Sequence, residues 1–164
     1  MAWDAYLSLD PPLKGESKRE GHQEEIEVNG FSFGGHNPSS VARGSGGGAG
    51  RVDLRQFTIH KFTDASSVDL FRYLCAGNHF KSGKLTLYKA GGEAGPLKYL
   101  VYEFKVLYPE DMDWTGGEGG DEIPIETISF AFEEVKVTYT QQAEDGTAMG
   151  DYVGGWNLRQ NKLI

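Results

Sequence analysis

From Lys14 to Arg51 the chain reads KGESKREGHQEEIEVNGFSFGGHNPSSVARGSGGGAGR, and the alternation of its apolar residues decides the fold class. Ile26 and Val28 share one parity, and Phe31 and Phe33 share the other. Successive strand residues point to opposite faces, so a change of parity carries every later side chain across the sheet. A hairpin at Asn29-Gly30 would explain the change, because Asn-Gly is a strong type I′ turn signal. A single bent strand explains it equally and avoids very short hairpin arms; the bent strand is the preferred reading.

The same slip recurs downstream. Val52 and Leu54 are followed out of phase by Phe57 and Ile59, and Ile128, Phe130 and Phe132 by Val135, Val137 and Tyr139. Repeated slips point to bulges or sharp bends, the devices that close sheets into barrels. Leu97 to Tyr108 is apolar at both parities and reads as a central strand covered on both sides. One helix stands out, with Ser66 or Ser67 as its cap and Asp69 completing a weak capping box. Leu70, Phe71, Leu74 and Cys75 would form its apolar stripe, and Gly77 suits its C-terminal stop. The expectation is a mainly β fold: a small β-barrel of two sheets, one flanking α-helix and a long extended loop.

A chain of 164 residues suits one domain spanning 1–164 with a real core. The 23 glycines gather in loops between strands, and no linker divides the chain. A formal net charge of −8 with scattered Lys and Arg argues against nucleic-acid binding. Cys75 is the single cysteine, so no intrachain disulfide can form. Met1-Ala2-Trp3-Asp4 lacks the basic and apolar regions of a secretory signal, and no apolar run approaches the roughly 20 residues of a membrane span. The reading is a protein folded in the cytoplasm; export would need a route without a signal peptide.

No enzyme constellation rises above background. Gly44-x-Gly46-x-x-Ala49 formally matches a dinucleotide fingerprint, but strand-like alternation follows where a helix is required. Asp111-Met112-Asp113-Trp114-Thr115-Gly116 with Glu122 nearly matches an EF-hand loop. It lacks flanking helices, carries Glu118 at a position that is usually apolar, and holds three further glycines, so an acidic surface loop is the better reading. His22, His36, His60 and His79 have no metal-ligand spacing, and Cys75 reads as a core residue. Glu24-Glu25 and Glu133-Glu134 are neighbours in strands and diverge to opposite faces. No catalytic residue, cofactor or metal is expected.

Taken in order, Lys14-Gly15-Glu16-Ser17, Phe31-Ser32-Phe33-Gly34, Gly44 to Arg51, Leu85-Thr86-Leu87 with Lys89-Ala90-Gly91, and Gly155-Trp156-Asn157-Leu158-Arg159-Gln160-Asn161 resemble the Hcp tube proteins of the bacterial type VI secretion system, themselves similar to phage tail-tube subunits. The resemblance covers nearly the whole chain. Phenylalanines stand where relatives often carry tryptophan, and Pro11-Pro12 and Glu110 to Asp113 depart from the pattern. It implies a homohexamer whose rings stack into an inner tube and hold small effector proteins in the channel. Further implied partners are the sheath, the spike (VgrG) and the baseplate, with no nucleic acid and no membrane. The implied localisation is the bacterial cytoplasm, then secretion through the type VI apparatus. The resemblance places Ser32 on the channel side and assigns ring stacking to the extended loop, through His36, Asn37, Gly44, Gly46, Gly47, Gly48 and Gly50; Trp156 would pack in the core. The reading from another class is a free secreted β-barrel binding protein for a receptor or carbohydrate, against which the scattered tryptophans weigh mildly.

Overall fold

The computed structural model describes residues 3–38, 48, 50–120 and 122–164. The described strands are β1 (Asp4–Asp10), β2 (Ile26–Val28), β3 (Gly30–Ser32), β4 (Gly35–His36), β5 (Asp53–Leu54), β6 (Phe57–Phe62), β7 (Phe80–Lys89), β8 (Leu97–Thr115), β9 (Ile125–Gln142), β10 (Ala148–Asn157) and β11 (Lys162–Leu163), with helix α1 (Ser67–Ala76) between β6 and β7. Every strand pair is antiparallel. Hydrogen bonding follows the path β11-β10-β9-β8-β7-β1-β2, β6 joins β9 on one side and β3 on the other, and β4-β5 form a separate ribbon.

Each parity slip has a structural cause. β2 pairs with β1 whereas β3 pairs with β6, so Asn29-Gly30 is a bend between two ladders and not a hairpin. The Asn29 N–H donates to the His60 carbonyl at 2.8 Å and pins the corner. The second slip is a break: β5 and β6 are separate strands parted by Arg55-Gln56. The third lies within continuous β9, which pairs with β6 along Ile125–Phe130 and with β10 along Glu134–Gln142. The phase changes where the neighbour changes: Phe130, Phe132 and Glu134 are buried, and so is Val135.

Among the described residues the mainly β class with one α-helix is as expected, but the strand ladders do not close into a barrel. Between β2 and β3 the circuit runs through the chain itself at Asn29. β8 is central in the sheet, between β7 and β9. It is not covered on both sides: Val101, Phe104 and Leu107 are buried while Lys98, Lys105 and Tyr108 are exposed. The core gathers Phe57, Ile59, Phe104, Leu107, Ile128 and Phe130, with Phe57 stacked on Phe104 at 4.4 Å between ring centres.

Helix α1 closes one end of this core. Leu70 is fully buried and Tyr73 stacks on Phe80 at 4.3 Å. Phe71 and Cys75 are exposed, so the apolar stripe is narrower than expected and Cys75 is not a core residue. The cap also differs: Ser66 makes no side-chain cap bond. Asp64 instead fixes the turn before the helix, its Oδ1 accepting the Ser66 N–H at 2.9 Å, while Ser67 Oγ accepts the Asp64 N–H at 2.9 Å. This reciprocal pair orders the turn that leads into the helix, where the Ser67 N–H also donates to the Asp64 carbonyl at 3.1 Å. At the far end Gly77 takes φ 68°, the left-handed stop that glycine adopts without strain.

Candidate functional site

Ser32 sits where strand alternation puts it. Phe31 and Phe33 pack inward against Tyr102, at 5.5 and 5.6 Å between ring centres, and Ser32 is exposed on the other face. Register extends this face across four strands. Ser32 lies opposite Thr58, Thr58 opposite Ser129, and Ser129 opposite Asp111; the next row is Gly30, His60, Thr127 and Asp113. Thr58 Oγ1 and Ser129 Oγ are 2.8 Å apart, and His60 Nδ1 lies 3.1 Å from Thr127 Oγ1. Gln56 Nε2 donates to Glu110, and to Asp111 at 3.3 Å.

The result is a polar sheet face of hydroxyls, an imidazole and carboxylates, backed directly by the aromatic core. Thr58, His60, Thr127 and Ser129 are companions of Ser32 that the sequence reading did not single out. Their signal was available as the polar half of two alternating strands, Phe57-Thr58-Ile59-His60 and Thr127-Ile128-Ser129-Phe130. What the sequence lacked was the register that aligns them.

The extended loop leaves the sheet through the β4-β5 ribbon, where His36 faces Asp53 and both are exposed. Asn37, Gly48 and Gly50 are exposed as well, and the Gly50 N–H donates to the Pro38 carbonyl at 2.8 Å, closing the base of the loop. Arg51 Nη2 reaches the Leu158 carbonyl at 3.2 Å and ties that base to the C-terminal segment. Gly44, Gly46 and Gly47 lie outside the described residues. Nearby, Trp156 is half-buried with its Nε1 shielded from solvent.

Two further surfaces frame the molecule. Along residues 148–154 the outer edge of β10 pairs with no described strand, because β11 meets only Trp156 and Asn157 and the Ile164 N–H bonds the Gly155 carbonyl. Met149, Tyr152 and Val153 on this segment are each more than 60% exposed, so both its faces are open. The outward face of β7-β8-β9 carries cross-strand ion pairs, Lys105 with Glu134 at 2.8 Å and Lys136 with Glu103 at 3.0 Å. Its hydrogen bond to Glu134 and the opposite charge hold the Lys105 ammonium above its ordinary pKa. Beyond it, His22 bridges Glu25 Oε2 at 2.9 Å and the Tyr88 hydroxyl at 2.7 Å and stacks on Tyr6 at 4.5 Å. Burial pushes both tyrosine hydroxyls up.

Positions one to five of the EF-hand-like segment, Asp111 to Thr115, lie in extended β8, where consecutive ligands cannot wrap around an ion. Among the described residues no three His, Cys, Asp or Glu side chains gather in a way that would hold a metal. His22, His36, His60 and His79 occupy separate surroundings, His79 stacking on Tyr108 at 4.6 Å. Glu24 pairs with Lys14 while Glu25 turns to His22, and Glu133 faces Arg159 while Glu134 turns to Lys105, so neither acidic pair converges.

Comparison with known proteins gives a consistent answer. The family described as "Type VI secretion system effector, Hcp" matches residues 6–139. "Protein hcp1" of Pseudomonas aeruginosa is 38% identical over 162 residues, covering 98% of each chain. A solved structure titled "Structure of a type six secretion system protein" superposes with a TM-score of 0.92 at 31% identity, covering 99% of this chain and 100% of that one. Hcp1 from Salmonella typhimurium superposes with a TM-score of 0.81 at 30% identity over the full length of both.

Proposed function

We propose, starting from the fact that this chain belongs to the Hcp family of type VI secretion system proteins, that it is a non-enzymatic tube subunit that assembles into hexameric rings. The observation that supports this most directly is β10. Its edge from Ala148 to Gly154 offers unpaired backbone groups, and its side chains are exposed on both faces. Such an edge is a liability for a free monomer and a natural seam for a neighbour. Ring closure needs a heterologous contact, one surface of a subunit meeting a different surface of the next, so a single open edge suffices for each copy.

In this reading the face carrying Ser32 lines the channel. A wall of short hydroxyls backed by rigid aromatics presents a smooth polar lining that can hold small effector proteins without trapping them. The extended loop reaches from one ring to the next, through His36, Asn37 and the glycines Gly44 to Gly50, and rings stack into a tube. Sheath, spike (VgrG) and baseplate are the further partners of such a tube, and the protein leaves the bacterial cytoplasm through the secretion apparatus.

The decisive experiment is native mass by light scattering with negative-stain images of the same peak. Open six-fold rings are the expected result; a monomer at high concentration would overturn the proposal. Ser32→Gln should keep the rings and lower effector retention, whereas loss of the rings would remove Ser32 from the channel. Deleting residues 44–50 should spare the ring and impair stacking, and unchanged tube formation would sink the role given to the loop.

A further inference from the structure

Ser32 has a charged neighbour whose position depends on a glycine. Phe31 and Phe33 point into the core, so Ser32 and Gly34 face the other way. The Arg55 N–H donates to the Gly34 carbonyl at 2.8 Å, which brings the start of β6 alongside Gly34. The Arg55 side chain then lies across Gly34 in the space a side chain would take. A Cβ at Gly34 would collide with Arg55 Nη2 and sit 3.2 Å from its Cζ.

Arg55 is exposed, and among the described residues it has neither an ion pair nor a side-chain hydrogen bond. The other described arginines differ: Arg19 pairs with Asp4, Arg72 with Asp69 and Arg159 with Glu133, and Arg51 bonds the Leu158 carbonyl. The carboxylates on this sheet face, Glu110, Asp111 and Asp113, belong to β8; Gln56 takes up Glu110 and Asp111, and none of the three forms an ion pair with Arg55 among the described residues. A guanidinium presents a planar fork of donors that matches a carboxylate in two parallel hydrogen bonds. An unpaired one, set beside a small hydroxyl and backed by aromatic rings, has that fork free for a partner.

We infer that Arg55 is a specificity-determining contact beside Ser32 that takes a carboxylate from the cargo, and that Gly34 is its positioning residue. This rests on the channel reading of the Ser32 face. In a six-fold ring it would form a belt of guanidinium groups at the level of Ser32, selecting effectors with Asp or Glu on the surface they present. The selection is local, since the chain as a whole carries a formal charge of −8 and would otherwise repel acidic partners.

The test uses the purified full-length protein and two rhodamine-labelled probes, hexaglutamate and hexalysine, followed by fluorescence anisotropy at low ionic strength. Ring formation is scored separately by light scattering on the same samples. Hexaglutamate should bind the wild type and weaken about tenfold or more in Arg55→Gln, the loss expected for a charge-assisted hydrogen-bonded pair. Arg55→Lys should recover only part of the binding, because a point charge lacks the fork. Gly34→Ala should weaken hexaglutamate as Arg55→Gln does while leaving ring mass unchanged, since the added methyl displaces only a flexible side-chain end. Intact rings that bind hexaglutamate equally with and without Arg55, or that prefer hexalysine, would overturn the assignment of Arg55 alone. A monomeric wild type whose hexaglutamate binding still depends on Arg55 would keep that contact and sink the channel instead.

Discussion

β6 and β9 present two polar regions on opposite faces of the same pair of strands, and they behave in opposite ways. On the inward face Lys61 lies opposite Glu126, both fully buried at the base of the core. Lys61 Nζ reaches Glu126 Oε2 at 2.8 Å, Asp64 Oδ1 at 2.9 Å, Ser67 Oγ at 3.0 Å and the Phe62 carbonyl at 2.9 Å. Ser67 Oγ donates onward to Glu126 Oε2 at 2.7 Å. On the outward face Thr58, His60, Thr127 and Ser129 bond one another sparingly and are half-exposed. One residue of register separates a charged cluster that locks helix α1 to the sheet from a polar lining that holds nothing in place. Buried charges must be matched and so become structural; exposed hydroxyls are already satisfied by water and stay available for contact.

Four experiments break or sharpen this contrast. The largest effect is expected from Lys61→Met, which strands Glu126 without its cation. Removing one partner of a buried ion pair costs roughly 3–5 kcal/mol, read as a lowered denaturation midpoint at fixed protein concentration. Lys61→Met combined with Glu126→Leu should regain most of that loss, and a single variant as stable as the wild type would remove the locking role. Asp64→Ala should cost about 1–2 kcal/mol through the hydrogen bonds that order the turn before α1 and more through Lys61. Asp64→Asn keeps the acceptor for that turn and separates the two contributions in the same assay.

On the outward face, Thr58→Val with Ser129→Ala should change stability by less than about 1 kcal/mol, the net worth of one ordinary hydrogen bond. A drop as large as that of Lys61→Met would mean that the two faces do not differ as described. The smallest effect belongs to the β9-β10 turn. Asp145 Oδ1 accepts the Thr147 hydroxyl at 2.6 Å and its N–H at 3.0 Å, and these bonds hold the carboxyl below its ordinary value of 3.8. A carboxyl depressed in the folded state stabilises at neutral pH, and that contribution is lost as pH falls below 3.8 through the folded value. Hydrogen exchange at Gly146 and Thr147, corrected for the intrinsic rate at each pH, should show protection falling in that window, and Asp145→Asn should abolish the change.

Several elements were legible from residues alone. The parity change between Val28 and Phe31 marked the bend at Asn29, and Gly77 marked the end of α1. The pattern Phe31-Ser32-Phe33 put Ser32 on the face away from the core, and the ordered motifs pointed to the Hcp family. These depend on local chemistry: strand alternation has period two, a left-handed stop favours glycine, and motif order survives in a linear string. The companions of Ser32 were not legible, because Thr58, Ser129 and Arg55 reach it through pairing between distant strands.

Nor were Lys61 and Glu126, whose inward parity interrupts the apolar patterning and whose further partners come from the Asp64-Ser67 turn. Cys75 and Phe71 were misplaced for a related reason: α1 touches the body along one narrow line, and only the tilt of the helix decides which flank of its apolar stripe is covered. The sequence by itself determined the fold class, the bend and the parity of each strand, since those follow from the nearest neighbours in the chain. Tertiary structure alone decided which parities meet, because register and burial are properties of strand pairs and no single strand carries them.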